Sequence, residues 1–306
     1  MLRVKPPAKY IWLDGKLLNW SDAKVHVMTH ALHYGTSVFE GIRGYWTGEN
    51  LLLFRLDDHI DRMFNSAKIL GIKIPLQREE VRNAIVETLR ANEFKEDVYV
   101  RPIAFVSSQT ITLDIKSPDV SLAIIAVPFG KYLPPGGVRA TIASWRRVHN
   151  TMLPVMAKIG GIYVNSVLAR LEARSRGYDE ALLMDAWGYV VEGSGENVFI
   201  ARKNIIYTPP VHQSILEGIT RDTVIKLAGD IGMQVAEKPI TREEVYTADE
   251  IFLAGTAAEI TPVIEVDGRP VGDGRPGPIT TKLAELYAKV VRGRVEKYLK
   301  WVVPVY

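Results

Sequence analysis

The sequence predicts an α+β protein of two domains, and three observations carry that expectation. The chain has 306 residues, 47% hydrophobic and 24% charged, ordinary globular composition at a length that favours two domains over one. The second half sets short β-rich segments close together with helical patterns beside them, and with little sign of a regular βαβ wind. Residues 129–137, FGKYLPPGG, combine two prolines and three glycines, a composition that suits either a linker or an ordinary surface loop. We expect a small N-terminal domain over 1–128, an interdomain loop over 129–137 and a larger domain over 138–306.

Taken in order, YIWLDGKLLNW reads as a hairpin, because apolar runs flank the tight-turn pair Asp14 and Gly15. Residues 60–70 place Ile60, Met63, Phe64, Ala67 and Leu70 on one helical face, and Gly71 ends that helix. Val81, Ile85 and Leu89 mark a second helix over 79–89. VYVRPIAFV and VSLAIIAVPF are rich in β-branched residues and read as strands. Val164, Val167, Leu168 and Leu171 then mark a helix, followed by strands ALLMD, YVVEG, NVFIA and IIYT. A helix from about Thr220 turns Val224, Leu227, Ala228 and Ile231 inward and stops at Gly232. IFLAGT is a last buried strand.

Composition excludes several classes of function. There is no cysteine, so no disulfide frame, thiolate metal site or cysteine nucleophile exists, and we expect no metal. The formal charge is only +3 and no basic run occurs, which argues against a nucleic-acid partner. The start MLRVKPPAKY has no signal-peptide apolar stretch, and no segment stays apolar for the about 18 residues of a membrane span. A cytoplasmic protein without a membrane partner is expected. The missing cysteine and abundant proline suit a heat-adapted source.

Four features carry chemistry. Lys158 sits among Met, Ala, Ile and Gly in MAKIGGIYVNS, and desolvation favours the unprotonated amine that condenses with an aldehyde cofactor. Tyr163 follows it. Glu192 lies where the apolar strand of VVEGSGEN turns into a glycine-rich loop. A carboxylate buried there needs a partner, and a protonated pyridine nitrogen supplies one. Gly218, Ile219 and Thr220 open a helix whose free N–H groups and dipole favour a phosphate. Thr256 in LAGTAAE and Arg62 can add phosphate contacts. Each feature alone admits a plainer reading: a lysine with its head in water, a turn glutamate, a threonine N-cap, a solvated helix arginine. Together they match what a pyridoxal phosphate site needs.

With those residues in view, the chain resembles the branched-chain amino acid aminotransferases among the fold-type IV pyridoxal phosphate enzymes, whose fold is also that of D-amino acid aminotransferase. THALHYGTSVFEGIR, VYVRP, MAKIGGIYVNS, EGSGENVF, GITRD and LAGTAAEITPV read like that family's segments, in its order, over nearly the whole chain. The resemblance implies that Lys158 is the catalytic residue, bonded to the cofactor and then moving the proton of the substrate α-carbon. It implies cofactor contacts from Arg62, Tyr163, Glu192, Asn197, Leu216, Gly218, Ile219, Thr220, Gly255 and Thr256. Thr256, Ala257 and the Tyr99 hydroxyl would take the substrate carboxylate, and Phe39, Tyr99, Phe129 and Tyr132 would wall its side-chain pocket. Tyr34 would reach a neighbouring subunit's site, which requires a homodimer, alone or within a trimer of dimers.

Arg101 follows Tyr99 on the same strand face, and the resemblance assigns it the distal carboxylate of 2-oxoglutarate. Burying a leucine side chain is worth about 1.5–3 kcal/mol, and a charge-assisted hydrogen bond about as much, so one pocket can serve both substrates if Arg101 finds other partners when leucine is bound. A structural ion pair is the alternative for Arg101. Two departures bear on specificity: Phe129 stands where many relatives carry tryptophan, and QTITLDIKSPD lacks their glycine-rich character. The expected activity is ping-pong transamination between leucine, isoleucine or valine and 2-oxoglutarate. D-amino acid aminotransferase, aminodeoxychorismate lyase and (R)-amine transaminase share the fold, and a non-catalytic binder of the same fold is a further alternative. VYVRP and HYGTSVFEGIR favour the branched-chain branch.

Overall fold

The computed structural model describes residues 8–134 and 136–306. The MLRVKPP start, where the sequence shows no signal-peptide stretch, and Pro135 lie outside the described residues. The chain divides into two compact units: Met1–Gly130 with Ala157–Gly161 and Val290–Tyr306, and Lys131–Met156 with Ile162–Lys289.

The first unit is built on one eight-stranded sheet. Its strands run Val302–Pro304, Leu51–Phe54, Ile42–Trp46, Val98–Val106, Val120–Pro128, Tyr10–Leu13 and Lys16–Asn19, with Ser37–Phe39 also on Val98–Val106. The Asp14–Gly15 turn takes positive φ at both residues, 46° and 88°, as the hairpin requires. Helices Leu56–Leu70 and Arg78–Asn92 pack against the sheet and each other. The first starts ahead of the apolar periodicity because Asp57 and Asp58 suit a first helical turn. The second buries its expected face and the first most of it, with Met63, Val81, Ile85 and Leu89 wholly inside and Phe64 and Leu70 only half-buried.

Two segments that the sequence division places beyond 137 belong to this unit. Val302–Pro304 pairs antiparallel with Leu51–Phe54 and covers the sheet's edge. Arg90 Nε donates to the Val305 carbonyl at 2.6 Å, and Asn50 Oδ1 accepts from the Tyr306 N–H at 2.9 Å. The second segment, Ala157–Gly161, carries Lys158 and bridges to Ser37–Phe39 through Ile159 and Val38. Long-range pairing of this kind leaves no periodicity in the local sequence.

The second unit holds a nine-stranded sheet in the order Val190–Gly193, Glu180–Met184, Val138–Arg146, Glu259–Val266, Glu250–Gly255, Asn197–Arg202, Ile205–Thr208 and Gln234–Glu237, with Arg269–Pro270 on Glu259–Val266. Val190–Gly193 also pairs with Asn197–Arg202, closing the first six strands into a ring. Val138, Ile142, Leu182, Val198, Leu253 and Val263 are among the buried residues that fill the associated core. The sheet is mixed and carries more βαβ winding than the sequence suggests. Val138–Arg146 pairs parallel with Glu180–Met184, and Ile205–Thr208 with Gln234–Glu237, each pair joined through a helix.

One of those helices, Tyr163–Ser175, faces opposite to its apolar stripe. Val164, Val167 and Leu171 are 60%, 55% and 58% exposed, while Ala169 and Ala173 meet Ala143, Ala181 and Leu183 on the sheet. Small residues allow the backbone to approach closely, so packing, not hydropathy, chose the buried face. The other helix, Ile219–Asp230, buries Val224, Leu227 and Ala228 as expected. Among the described residues no helix is long and apolar enough to cross a membrane.

Deleting residues 302–306 removes the fully buried Val305 and uncovers the Leu51–Phe54 edge. The expected cost is at least roughly 2 kcal/mol, measurable as a lower midpoint of urea unfolding, with faster aggregation from the bared strand.

Candidate active site

The first unit gathers Lys158, Arg62, Phe39, Tyr99, Arg101 and Phe129. Lys158 is held at its backbone from both sides: its N–H donates to Ser66 Oγ at 2.9 Å, and its carbonyl accepts the Phe39 N–H at 3.1 Å. Its Nζ lies 5.0 Å from the Phe39 ring centroid. Ser66 stands one helical turn after Arg62 and two after His59, so one face of Leu56–Leu70 supplies all three side chains.

Arg62 grips the buried Glu40 bidentately, Nε to Oε1 at 2.7 Å and one Nη to Oε2 at 2.8 Å. His59 Nδ1–H donates to the same Oε2 at 2.8 Å. Burial alone would raise the Glu40 carboxyl, but the Arg62 charge and the His59 bond hold it well below the ordinary carboxylate range. Burial pushes the His59 imidazole down, despite its bond to Glu40. The sequence offered Arg62 for a phosphate and passed over Glu40 and His59. A charged residue beside Phe39 in an otherwise apolar stretch was the available signal.

Tyr99 and Arg101 do share a strand face: one Arg101 Nη donates to the Tyr99 hydroxyl at 2.8 Å. The guanidinium lies 4.5 Å from the Phe39 centroid, and its Nε is buried without a hydrogen-bond partner. A Cβ on Gly41 would come within 1.9 Å of the Tyr99 hydroxyl, so any larger residue there would displace the Tyr99 ring. Phe129 lies 5.1 Å from Tyr99, centroid to centroid, and 5.0 Å from the guanidinium of Arg43, a buried residue the sequence reading missed. Tyr34 is 42% exposed, and its hydroxyl donates to the Ile111 carbonyl at 2.6 Å. That bond ties it to the QTITLDIKSPD loop. His30 adds a second tie, contacting Thr36 Oγ1 and the Thr112 carbonyl.

The second unit gathers Tyr163, Glu192, Asn197 and Leu216 around one cleft. Glu192 Oε1 accepts from Asn197 Nδ2 at 3.0 Å and from the Leu216 N–H at 2.8 Å. Arg147 Nε lies 3.0 Å from Oε2, an ion pair without hydrogen-bond alignment. Arg147 is the partner that burial of Glu192 demanded, and SWRRVHN gave no local sign of it. Asn197 Nδ2 also donates to the Leu216 carbonyl at 3.0 Å, so Leu216 is clamped at both its N–H and its C=O.

Gly218 stands just beyond that clamp as N-cap of Ile219–Asp230. A Cβ there would meet Asn197 Oδ1 at 2.0 Å. Ile219 and Thr220 begin the helix, where backbone N–H groups have no intrahelical acceptor, and both are buried. Gly255 ends strand Glu250–Gly255, and Thr256 and Ala257 follow in a half-buried turn. Tyr132 is 47% exposed and lies 5.8 Å from the Arg170 guanidinium, centroid to Cζ. Each unit holds groups of the kinds pyridoxal phosphate calls for: the first a lysine amine held at its backbone, the second a buried carboxylate on a cleft beside a phenol, and a helix start with free N–H groups.

Glu40→Ala leaves Arg62 and His59 without their shared acceptor and should cost roughly 3–5 kcal/mol in chemical unfolding. The wild-type contribution is present above the ordinary carboxyl value of 4.5 and is lost as pH falls toward the lowered folded value. Unfolding curves of wild type and Glu40→Ala should therefore converge in strong acid.

Comparison with known proteins identifies the family. Residues 37–266 match the family model described as amino-transferase class IV. The chain is 45% identical over 295 residues to a branched-chain-amino-acid aminotransferase of Pseudomonas aeruginosa, covering 95% of each. It is 44% identical over 301 residues to a probable enzyme of that name from Aquifex aeolicus, covering 97% of each. Among solved structures, the branched-chain aminotransferase of Thermoproteus uzoniensis with norvaline aligns at TM-score 0.95 and 57% identity, over 98% of this chain and 100% of that one. The T.th. branched-chain amino acid aminotransferase complexed with N-(5'-phosphopyridoxyl)-L-glutamate aligns at TM-score 0.95 and 44% identity, over 99% and 100%. A match over most of the chain, with relatives of equal length, makes this protein a member of the class IV aminotransferase family.

Proposed function

We propose that this protein is a branched-chain-amino-acid aminotransferase that uses pyridoxal phosphate to exchange the amino group of leucine, isoleucine or valine with 2-oxoglutarate by a ping-pong route. The observation that carries the reading is the Glu192 carboxylate, buried on the Tyr163 cleft and held there by Asn197 and Leu216. Its companions in the class IV family, above all the Thermoproteus and T.th. enzymes, support the substrate class and the cofactor.

The cofactor, when bound, supplies an electron sink for the negative charge left at the substrate α-carbon. Lys158 carries it and then moves the proton at that α-carbon, its backbone held by Ser66 and Phe39. Glu192 keeps the pyridine nitrogen protonated, and Tyr163 donates to the ring oxygen. The amides of Ile219 and Thr220, the Thr220 and Thr256 hydroxyls and Arg62 bind phosphate, with Glu40 fixing the plane of the guanidinium. Asn197, Leu216, Gly218 and Gly255 shape the cofactor's surroundings. The Thr256 and Ala257 amides and the Tyr99 hydroxyl take the substrate carboxylate. Phe39, Tyr99, Phe129 and Tyr132 wall the side-chain pocket.

The unpartnered Arg101 Nε favours a distal carboxylate there over a structural ion pair. We also infer a homodimer, in which Tyr34 reaches the second copy's site. An apolar hollow of about 290 Å³, lined by Ile11, Val25, Leu32, Ile103, Phe105 and Ile125, supports it. The outward row of Val164, Val167 and Leu171 suits a further contact in a trimer of dimers.

Adding L-leucine without an oxo acid to the cofactor-loaded protein should bleach its yellow absorbance as the amine form of the cofactor rises. An unchanged spectrum would remove leucine as substrate and favour D-amino acids or amines. Lys158→Ala should show neither the yellow band nor turnover, and near-normal turnover would refute its role. Arg101→Ala should raise KM for 2-oxoglutarate by roughly tenfold or more, one lost charge-assisted bond, and change leucine far less. Equal losses for both substrates would return Arg101 to a structural role.

A further inference from the structure

The cleft that holds Glu192 contains a second carboxylate with no task in the scheme above. Glu196 is 7% exposed and lines that cleft with Glu192, Tyr163 and Arg147. Its Oε2 accepts the Gly195 N–H at 3.1 Å. A Cβ on Gly193 would stand 2.8 Å from the same oxygen, and a Cβ on Gly255 3.2 Å from Glu196 Cγ. The side chain therefore lies against the end of Glu250–Gly255, the strand that leads into Thr256 and Ala257.

The charges facing it do not balance. Glu180 on the strand Glu180–Met184 is fully buried, and Glu192 lies on Val190–Gly193. Arg170, from helix Tyr163–Ser175, pairs with Glu180, contacts Ser194 Oγ at 3.4 Å and lies against the Tyr132 ring. Arg147 stands at Glu192. The protein offers these three buried carboxylates two guanidinium groups, each already committed to another acid, and a pyridinium held by Glu192 would engage that acid rather than Glu196. A third anion buried there costs more than a bound proton. Burial and the Glu180 charge push the Glu196 carboxyl up to about 8, with Glu192 adding to the effect, while the Gly195 amide and Arg170 oppose it.

We propose that Glu196 is a positioning residue that stands as a neutral carboxylic acid while the enzyme works, and that its proton keeps a buried anion away from the turn at Thr256 and Ala257, so that this turn can take a substrate carboxylate. The inference rests on the reading of that turn as the carboxylate site. As pH rises and the proton leaves, the new charge repels the incoming carboxylate across a water-poor site, and substrate binding weakens.

The test uses the holoenzyme and 4-methylvaleric acid, a branched carboxylate with no amine to react. Its affinity, measured by calorimetry from neutral to alkaline pH, should fall roughly tenfold in wild type, as expected for one added charge near the site. In Glu196→Gln, which keeps the shape and cannot titrate, the affinity should stay flat. Infrared difference spectra should show a protonated carboxyl band at neutral pH that is absent in Glu196→Gln. In wild type alone, that band should vanish with the same midpoint as the loss of affinity, which decides the matter even if the variant does not fold. A parallel alkaline loss in Glu196→Gln, or no protonated band in wild type, would overturn the proposal. If the band is present but the probe binds at no pH, the carboxylate-site reading fails instead and takes this function of Glu196 with it.

Discussion

A carboxylate removed from water must be met by cations or hydrogen-bond donors, and this constraint organises both units. In the second, Glu192 sits 3.0 Å from Asn197 Nδ2, 2.8 Å from the Leu216 N–H and 3.0 Å from Arg147 Nε. Leaving any of these donors unmade would strand a charge in a poorly solvated place. Because Asn197 also holds the Leu216 carbonyl and abuts Gly218, satisfying Glu192 simultaneously fixes where the helix Ile219–Asp230 begins. The acid and the start of that helix are thereby set in one arrangement.

Glu40 plays the corresponding part in the first unit. Its two oxygens consume the fork of Arg62 and the Nδ1–H of His59. The same helix face supplies Ser66 to the Lys158 N–H, so the geometry of one buried ion pair and the backbone position of Lys158 descend from a single element. Main-chain anchoring on both sides of Lys158 suits the bond-forming role proposed for its amine.

Much of this was legible before folding. Hairpin, helices and strands follow from apolar periodicity and from Gly or Pro punctuation, and Val98–Val106 matches its sequence reading residue for residue. Tyr99 and Arg101 share a face because strand side chains alternate. The supports of the site were not legible. Arg147, His59 and Ser66 are ordinary residues in their own segments, and only contacts across long sequence separations give them meaning. The helix Tyr163–Ser175 misleads for a related reason: its outward Val164, Val167 and Leu171 show that a hydrophobic stripe need not be the buried one when small residues pack tighter against a sheet.

By itself the sequence determined the α+β class and the element types, because these depend on local propensity and on the pattern of side chains. Family membership also rests there, in segments such as MAKIGGIYVNS and EGSGENVF. Tertiary structure alone decided that Lys158 and the closing strand Val302–Pro304 belong to the first unit, that Glu40 is the acceptor of Arg62, and that three buried acids share two arginines. Those outcomes depend on which distant groups meet out of water, and the energy of a buried charge is a property of its surroundings that no local pattern records.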